Sequence, residues 1–165
     1  ALIILMFSVG ISVGTNREVF GKIREHNIRV VIIPLGVMAG SILGGFVCGI
    51  ILKIPFNQSL PIASGLGWYS LSGVLITNLI NAEIGTIAFL SNLFREIFSY
   101  LTIPYIAKHF NYYTAIAPAA ATSEDTTLAI LIKYTDAEII ILAVVNGIIC
   151  STAVPILINF FYNFL

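Results

Sequence analysis

The chain has 165 residues, of which 58% are hydrophobic and 10% charged, and its 8 basic and 8 acidic side chains cancel. Mean hydropathy is +1.00, whereas a soluble domain carries about 25% charged residues, so a dispersed soluble fold is excluded. Zero net charge excludes a nucleic-acid binder, two cysteines exclude a disulfide scaffold, and what remains is an all-α, polytopic integral membrane protein.

Ala1–Gly14 is apolar but short of the roughly 20 residues that cross the hydrocarbon core. The chain begins inside this run, which leads to the expectation that it is the C-terminal part of a longer or split protein. Thr15–Arg29 is the long polar stretch. Its four basic residues Arg17, Lys22, Arg24 and Arg29 mark it as a cytoplasmic loop or short surface helix by the positive-inside rule. Val30–Leu52 reads as a spanning helix. It carries Gly36, Gly40, Gly44 and Gly45, so GxxxG spacing occurs twice in succession and would let another helix approach closely.

Gln58–Asn81 is apolar but broken by Pro61 and by Gly65, Gly67, Ser70, Ser72 and Gly73. Glu83–Ala107 reads as a spanning helix with Ser91, Asn92, Arg95 and Glu96 near its middle. Tyr112–Tyr134 is broken again, from Ala117-Pro118 through Thr122, Ser123, Glu124, Asp125, Thr126 and Thr127. Glu138–Leu165 is the last predicted span. Cys48 and Cys150 lie in apolar runs and read as small packing residues.

The two broken segments overlay weakly: Ala63-Ser-Gly-Leu-Gly beside Ala117-Pro-Ala-Ala-Ala, and Val74-Leu-Ile beside Leu128-Ala-Ile. Paired discontinuous segments in corresponding places point to a transporter binding site. Two topologies fit. Each broken segment either crosses, giving six spans, or returns as a helical hairpin, leaving four. The hairpin version places Lys108 and Lys133 inside and only Lys53 outside, and the lysine distribution favours it. Both versions put the C-terminus outside.

A charge at the bilayer centre costs roughly 2.5–3.5 kcal/mol and persists where it pairs or lines a wet pathway. Arg95 and Glu96 are adjacent, so they point to different sides of their helix. Glu96 shares a face with Asn92 and Gly85, and Arg95 with Ser91 and Thr102. They read either as an interhelical ion pair or as substrate or ion ligands. Glu124 and Asp125, among the hydroxyls of Thr122, Ser123, Thr126 and Thr127, suit an ammonium group, a sodium ion or a proton. The alternative is an exposed loop in which Ser123 or Asp125 caps the next helix. Trp68 and Tyr69, with Ser70 beside them, suit an aromatic wall for a ligand cation or an interfacial belt. His26 and His109 have no partners at ligand spacing, so no metal site and no cofactor is predicted. No nucleophile-elbow, phosphate-loop or HExxH motif is present, and the chain does not read as an enzyme.

Three stretches carry a resemblance: Gly65-Leu-Gly-Trp-Tyr-Ser-Leu-Ser-Gly73, Gly85-Thr-Ile-Ala-Phe-Leu-Ser-Asn-Leu-Phe-Arg-Glu96, and Ala117-Pro-Ala-Ala-Ala-Thr-Ser-Glu-Asp-Thr-Thr-Leu128. In order, over about Met6 to Pro155, they resemble the lysine exporter family LysO of bacteria and archaea. The resemblance implies a multi-pass inner-membrane protein that exports L-lysine, and in some members the analogue thialysine. It places Glu96 and Asp125 on acidic positions of the family motifs. It also implies a further N-terminal membrane region with its own acidic residue, supplied upstream, by a partner subunit, or within a homo-oligomer. The chain departs from the pattern at Ala119-Ala120-Ala121, where glycines are usual, at Glu124, where an apolar residue is, and at Ala129, where a proline is.

The expected mechanism is antiport. Asp125 and Glu96 would alternate between the substrate's ammonium groups and a proton or sodium ion, and Arg95 would receive the substrate carboxylate or balance the unoccupied acid. Two other readings compete: a transporter of another cationic metabolite, and a non-transporting membrane subunit.

Overall fold

The computed structural model describes residues 29–164, with side chains from residue 31. The run Ala1–Gly14 and the basic stretch that ends at Arg29 lie outside the described residues, apart from Arg29 itself. Among the described residues every regular element is helical: α1 (Arg29–Leu52), α2 (Phe56–Ala63), α3 (Tyr69–Leu79), α4 (Ala82–His109), α5 (Tyr112–Ala115), a 3-10 turn (Ala120–Glu124), α6 (Leu128–Tyr134) and α7 (Ala137–Phe164). Two of them, α1 over Val31–Leu52 and α7, are long and apolar enough to cross a membrane. The 28 residues of α4 are about 42 Å long, but Glu83, Arg95, Glu96 and Lys108 dilute its apolar character.

Local chemistry sets the helix ends. Lys53 closes α1 in the left-handed region (φ 56°), and the Ile54 N–H donates to the Gly49 carbonyl at 3.0 Å. Asn81, Asn111 and Asp136 each accept a backbone N–H three residues on, from Ile84, Thr114 and Ile139, and so start α4, α5 and α7.

α2 runs back along the second half of α1. A Cβ on Gly45 would sit 2.4 Å from the Cβ of Ala63, one on Gly49 would meet Ser59 and Phe56, and Phe46 stacks on Phe56 at 4.8 Å. The close approach therefore uses Gly45 and Gly49. Of the other glycines singled out, Gly36, Gly40 and Gly44 have nothing within 4 Å among the described residues, because α2 covers the other face of α1. α3 then runs antiparallel to the first half of α4. Tyr69 meets Phe89 edge-on at 5.4 Å, and Gly85 lies against the Gly73 carbonyl and Thr77. Helices α2 and α3 thus begin and finish at the Leu52 end of α1, with their tip at residues 64–68.

The segment from α5 to α6 occupies the opposite end. The Tyr113 hydroxyl donates to the Glu138 carboxylate at the start of α7, and α6 returns to the same end at Thr135. Its tip reaches the middle of α7, where Asn146 donates to the Ala120 carbonyl at 2.9 Å. The two tips touch: the Ala121 N–H donates to the Leu66 carbonyl at 3.0 Å. Leu66 (φ 49°) and Ala120 (φ 51°) are both left-handed, and they stand 54 residues apart, the same interval that separates Ser41 from Arg95. One apolar cluster, including Ile103, Ile116, Leu131, Ile139 and Leu142, seals the second tip to α4 and α7. Another, including Leu66, Leu71, Ile76, Ile84 and Val154, seals the first.

Candidate functional site

The site is built where the tips meet, between α4 and α7. Each tip leaves backbone groups that no helix satisfies, and one buried asparagine meets each set. Asn92 of α4 accepts from the Gly67 N–H at 2.8 Å and donates to the Ile62 carbonyl at 3.2 Å. Asn146 of α7 donates to the Ala120 carbonyl and to the Ser123 hydroxyl at 3.0 Å. Gly67 (φ +94°) gives the first tip a turn that a side chain would strain. Gly65 leaves room for the Asn92 amide, which a Cβ there would approach to 2.3 Å.

The buried hydroxyls of the second tip are turned on backbone carbonyls. Thr122 donates to the Ala119 carbonyl at 2.9 Å, Thr127 to the Thr122 carbonyl at 2.9 Å, and Ser123 to the Ala120 carbonyl at 2.8 Å and to that of Ala143 in α7 at 2.7 Å. Thr126 is exposed, and its N–H and hydroxyl both bond the Asp125 carboxylate.

The charged groups fall on two sides of α4. Glu96 is buried, 8% exposed, and forms no hydrogen bond or ion pair among the described residues. Beside it the Tyr100 hydroxyl donates to the Thr126 carbonyl. The Tyr100 phenol stands within electrostatic reach of Glu96, Asp125 and Tyr69. Asp125 is exposed. Arg95 leaves α4 on the other side. Its Nε donates to the Pro118 carbonyl at 3.2 Å and its Nη1 to the Ser41 hydroxyl at 2.9 Å. No ion pair forms among the described residues, so Arg95 is not spent on Glu96 or Asp125.

Glu124 diverges from its neighbour Asp125. It faces inward and accepts from the Ser151 hydroxyl at 2.8 Å, and its backbone and Cβ fill the space over Gly147. Cys150 lies within electrostatic reach of both Arg95 and Glu124. An arginine, an inward carboxylate and a polar α7 face thus line one side, and two carboxylates and two tyrosines the other.

Of the residues singled out from sequence, the structure gathers Glu96, Asp125, Thr126 and Tyr69 around Tyr100. It places Arg95 apart, and gives Asn92, Thr122 and Ser123 to the backbone of the tips. Trp68 is half-buried and packs on the core of the first tip. Ser70 is exposed, in a separate groove between α3 and α4 with Thr77 and Thr86. Among the described residues no cluster of histidine, cysteine or carboxylate groups suits a metal. Sequence reasoning missed Ser41, Tyr100, Asn146 and Ser151. A polar residue inside an apolar helix was the available signal for Ser41, and the 54-residue interval from Asn92 the one for Asn146.

Comparison with known proteins bears on this arrangement. Residues 1–162 match the family described as lysine exporter LysO. The lysine exporter LysO of Escherichia coli (strain K12) is 39% identical over 160 residues, covering 97% of this chain and 53% of that protein. A protein of Haemophilus influenzae, named as a candidate lysine exporter, is 36% identical over 169 residues, covering 99% of this chain and 83% of that protein. The chain thus spans about half the length of the first relative. No solved structure matches it significantly. With a family match over nearly its whole length, the chain belongs to the lysine exporter LysO family.

Proposed function

We propose that the chain is the C-terminal part of an exporter that moves L-lysine, and analogues such as thialysine, out of the cytoplasm across the inner membrane. Its membership of an exporter family and the names of its two relatives support the substrate. α1, α4 and α7 cross the bilayer. The α2–α3 and α5–α6 segments are hairpins that enter from opposite faces. The antiparallel course of α1 and α4 favours this over six crossings, because a first broken segment that crossed would leave the two helices parallel.

One observation carries the mechanism: the Glu96 and Asp125 carboxylates and the Arg95 guanidinium stand on opposite sides of α4 without pairing among the described residues. An L-lysine molecule needs both, an anionic partner for each ammonium and a cationic one for its carboxylate. Asp125 and Glu96 exchange an ammonium group for a proton or sodium ion, which gives antiport, and Arg95 receives the carboxylate. Asn92, Thr122 and Ser123 hold the tips that present these groups. Trp68, Tyr69 and Ser70 shape the first tip and its approach. The exposure of Asp125 leaves room for a contribution from the upstream region, from a partner subunit or from a second copy.

The test is lysine efflux from loaded vesicles under imposed proton and sodium gradients, with this chain alone and together with the upstream region. Gradient-driven lysine efflux is expected when both parts are present. Efflux of another cationic metabolite in preference to lysine would overturn the substrate assignment. Loss of assembly without loss of flux on neutralising Asp125 would overturn the mechanism. Topology is read separately in a chain freed of its two cysteines. A cysteine at Ala82 should be labelled from outside and one at His109 from inside, and the reverse pattern means six crossings.

A further inference from the structure

Two cavities flank the middle of the molecule. The larger, about 600 Å³, opens toward the Arg29 end of α1, between Val37, Ile106, Tyr113 and Ala117. The other, about 370 Å³, opens toward the Leu52 end, between Cys48, Ser59, Ile87 and Ser91. The two linings share Ser41 and Arg95 alone. At that point a run of hydrogen bonds crosses the molecule. The Pro118 carbonyl accepts from Arg95 Nε at 3.2 Å, Arg95 Nη1 donates to Ser41 Oγ at 2.9 Å, and Ser41 Oγ donates to the Ala63 carbonyl at 2.8 Å. The bar ties the second tip to the end of the helix that leads into the first.

We propose that this bar is the gate between the two cavities, and that a ligand carboxylate opens it by taking the Arg95 N–H now given to Ser41. The inference deepens the transport reading and rests on it for the ligand. A guanidinium has five N–H donors, and both acceptors that it has here are neutral. Arg95 is half-buried, and the Glu124 carboxylate on its side is taken up by Ser151, so an incoming carboxylate, bound through two parallel hydrogen bonds, outcompetes a single hydroxyl. Once Arg95 turns to the carboxylate, Ser41 keeps its bond to Ala63 but the bar is broken in the middle, and the two cavities join. The Leu52-side cavity is already equipped for a polar occupant. The hydroxyl of Ser59, which is 5% exposed, has no hydrogen-bond partner among the described residues, and it lines that cavity.

Cys48 reports on this directly, since it is exposed and lines the Leu52-side cavity, whereas Cys150 is buried. In a Cys150→Ala background of the full-length protein, oriented membrane vesicles are treated with a membrane-impermeant methanethiosulfonate from either face. Cys48 is expected to react from the face at the Leu52 end and to be shielded from the other. Ser41→Ala and Arg95→Gln should each raise the rate from the Arg29 face about tenfold, the equivalent of one lost charge-assisted hydrogen bond, with little change from the Leu52 face. L-lysine should open the native protein in the same way, and cadaverine, which has no carboxylate, should not. Equal rates from the Arg29 face in native protein and both variants would overturn the gate. Opening by the variants with no effect of lysine would retain the gate and overturn the carboxylate trigger, whatever the flux assay shows.

Discussion

The two tips share a plan and differ in charge. Each turns at a left-handed residue, Leu66 or Ala120, and each is held by a buried asparagine from a long helix. The first tip, residues 64–68, has no ionisable group, and Asn92 meets its freed N–H at Gly67. The second runs through Glu124 and Asp125, and its threonines and serine meet its own carbonyls before Asn146 adds to them. In a membrane an unpaired backbone group costs several kcal/mol, so a broken helix must first be satisfied. The first tip leaves this to a neighbouring helix and stays neutral. The second does much of it locally, which frees Asp125 to face outward. On the proposed mechanism, one tip braces and the other presents chemistry.

The variant with the largest expected effect tests that division. Asp125→Asn keeps size and hydrogen-bonding capacity but loses the charge, and should abolish export while the protein stays inserted at normal level. Thialysine sensitivity of an exporter-deficient host, read beside membrane protein level, measures it. Full resistance at normal level would remove Asp125 from the mechanism and erase the contrast between the tips. Glu124→Gln should be milder, since the amide oxygen still accepts from Ser151.

Next come the two asparagines. Asn92→Ala leaves the Gly67 N–H without a partner, a loss of about 1–3 kcal/mol, read as a lowered melting point in detergent. Asn146→Ala should cost less, because the Ala120 carbonyl keeps the Ser123 hydroxyl. If Asn146→Ala proves the more damaging, the second tip is the one that leans on its neighbour. The sharpest steric contrast separates two glycines. Gly147→Ala would place a methyl 2.5 Å from the Glu124 Cβ and 2.6 Å from its backbone nitrogen, and should lower the melting point measurably, whereas Gly40→Ala has open space and should change nothing.

Much of this was readable from residue types. Clusters of glycine, serine and proline within apolar runs marked both breaks, and the adjacency of Arg95 and Glu96 implied opposite sides of α4. What the sequence hides is which polar group is spent on what. Thr122 and Ser123 look like ligands until their hydroxyls are found on backbone carbonyls. Neither Leu66 nor Ala120 advertises a left-handed turn, because their conformations are imposed by the meeting of the tips and not by propensity. Ser41 is a lone hydroxyl in an apolar helix, and only the antiparallel approach of α4 sets it against Arg95. The glycines were legible in part: Gly45, with Gly49 at the same four-residue spacing, receives α2, while Gly36, Gly40 and Gly44 lie on another stripe.

The bond between the Ala121 N–H and the Leu66 carbonyl also bears on how the chain is made. The acceptor is synthesised well before its donor. At about 5–20 residues per second, the Leu66 carbonyl waits roughly 3–11 s for Ala121 to leave the ribosome. Until then the first tip is complete in sequence but not in bonding. On the proposed topology the first hairpin therefore stays near the interface until the second arrives, and both settle in one late step.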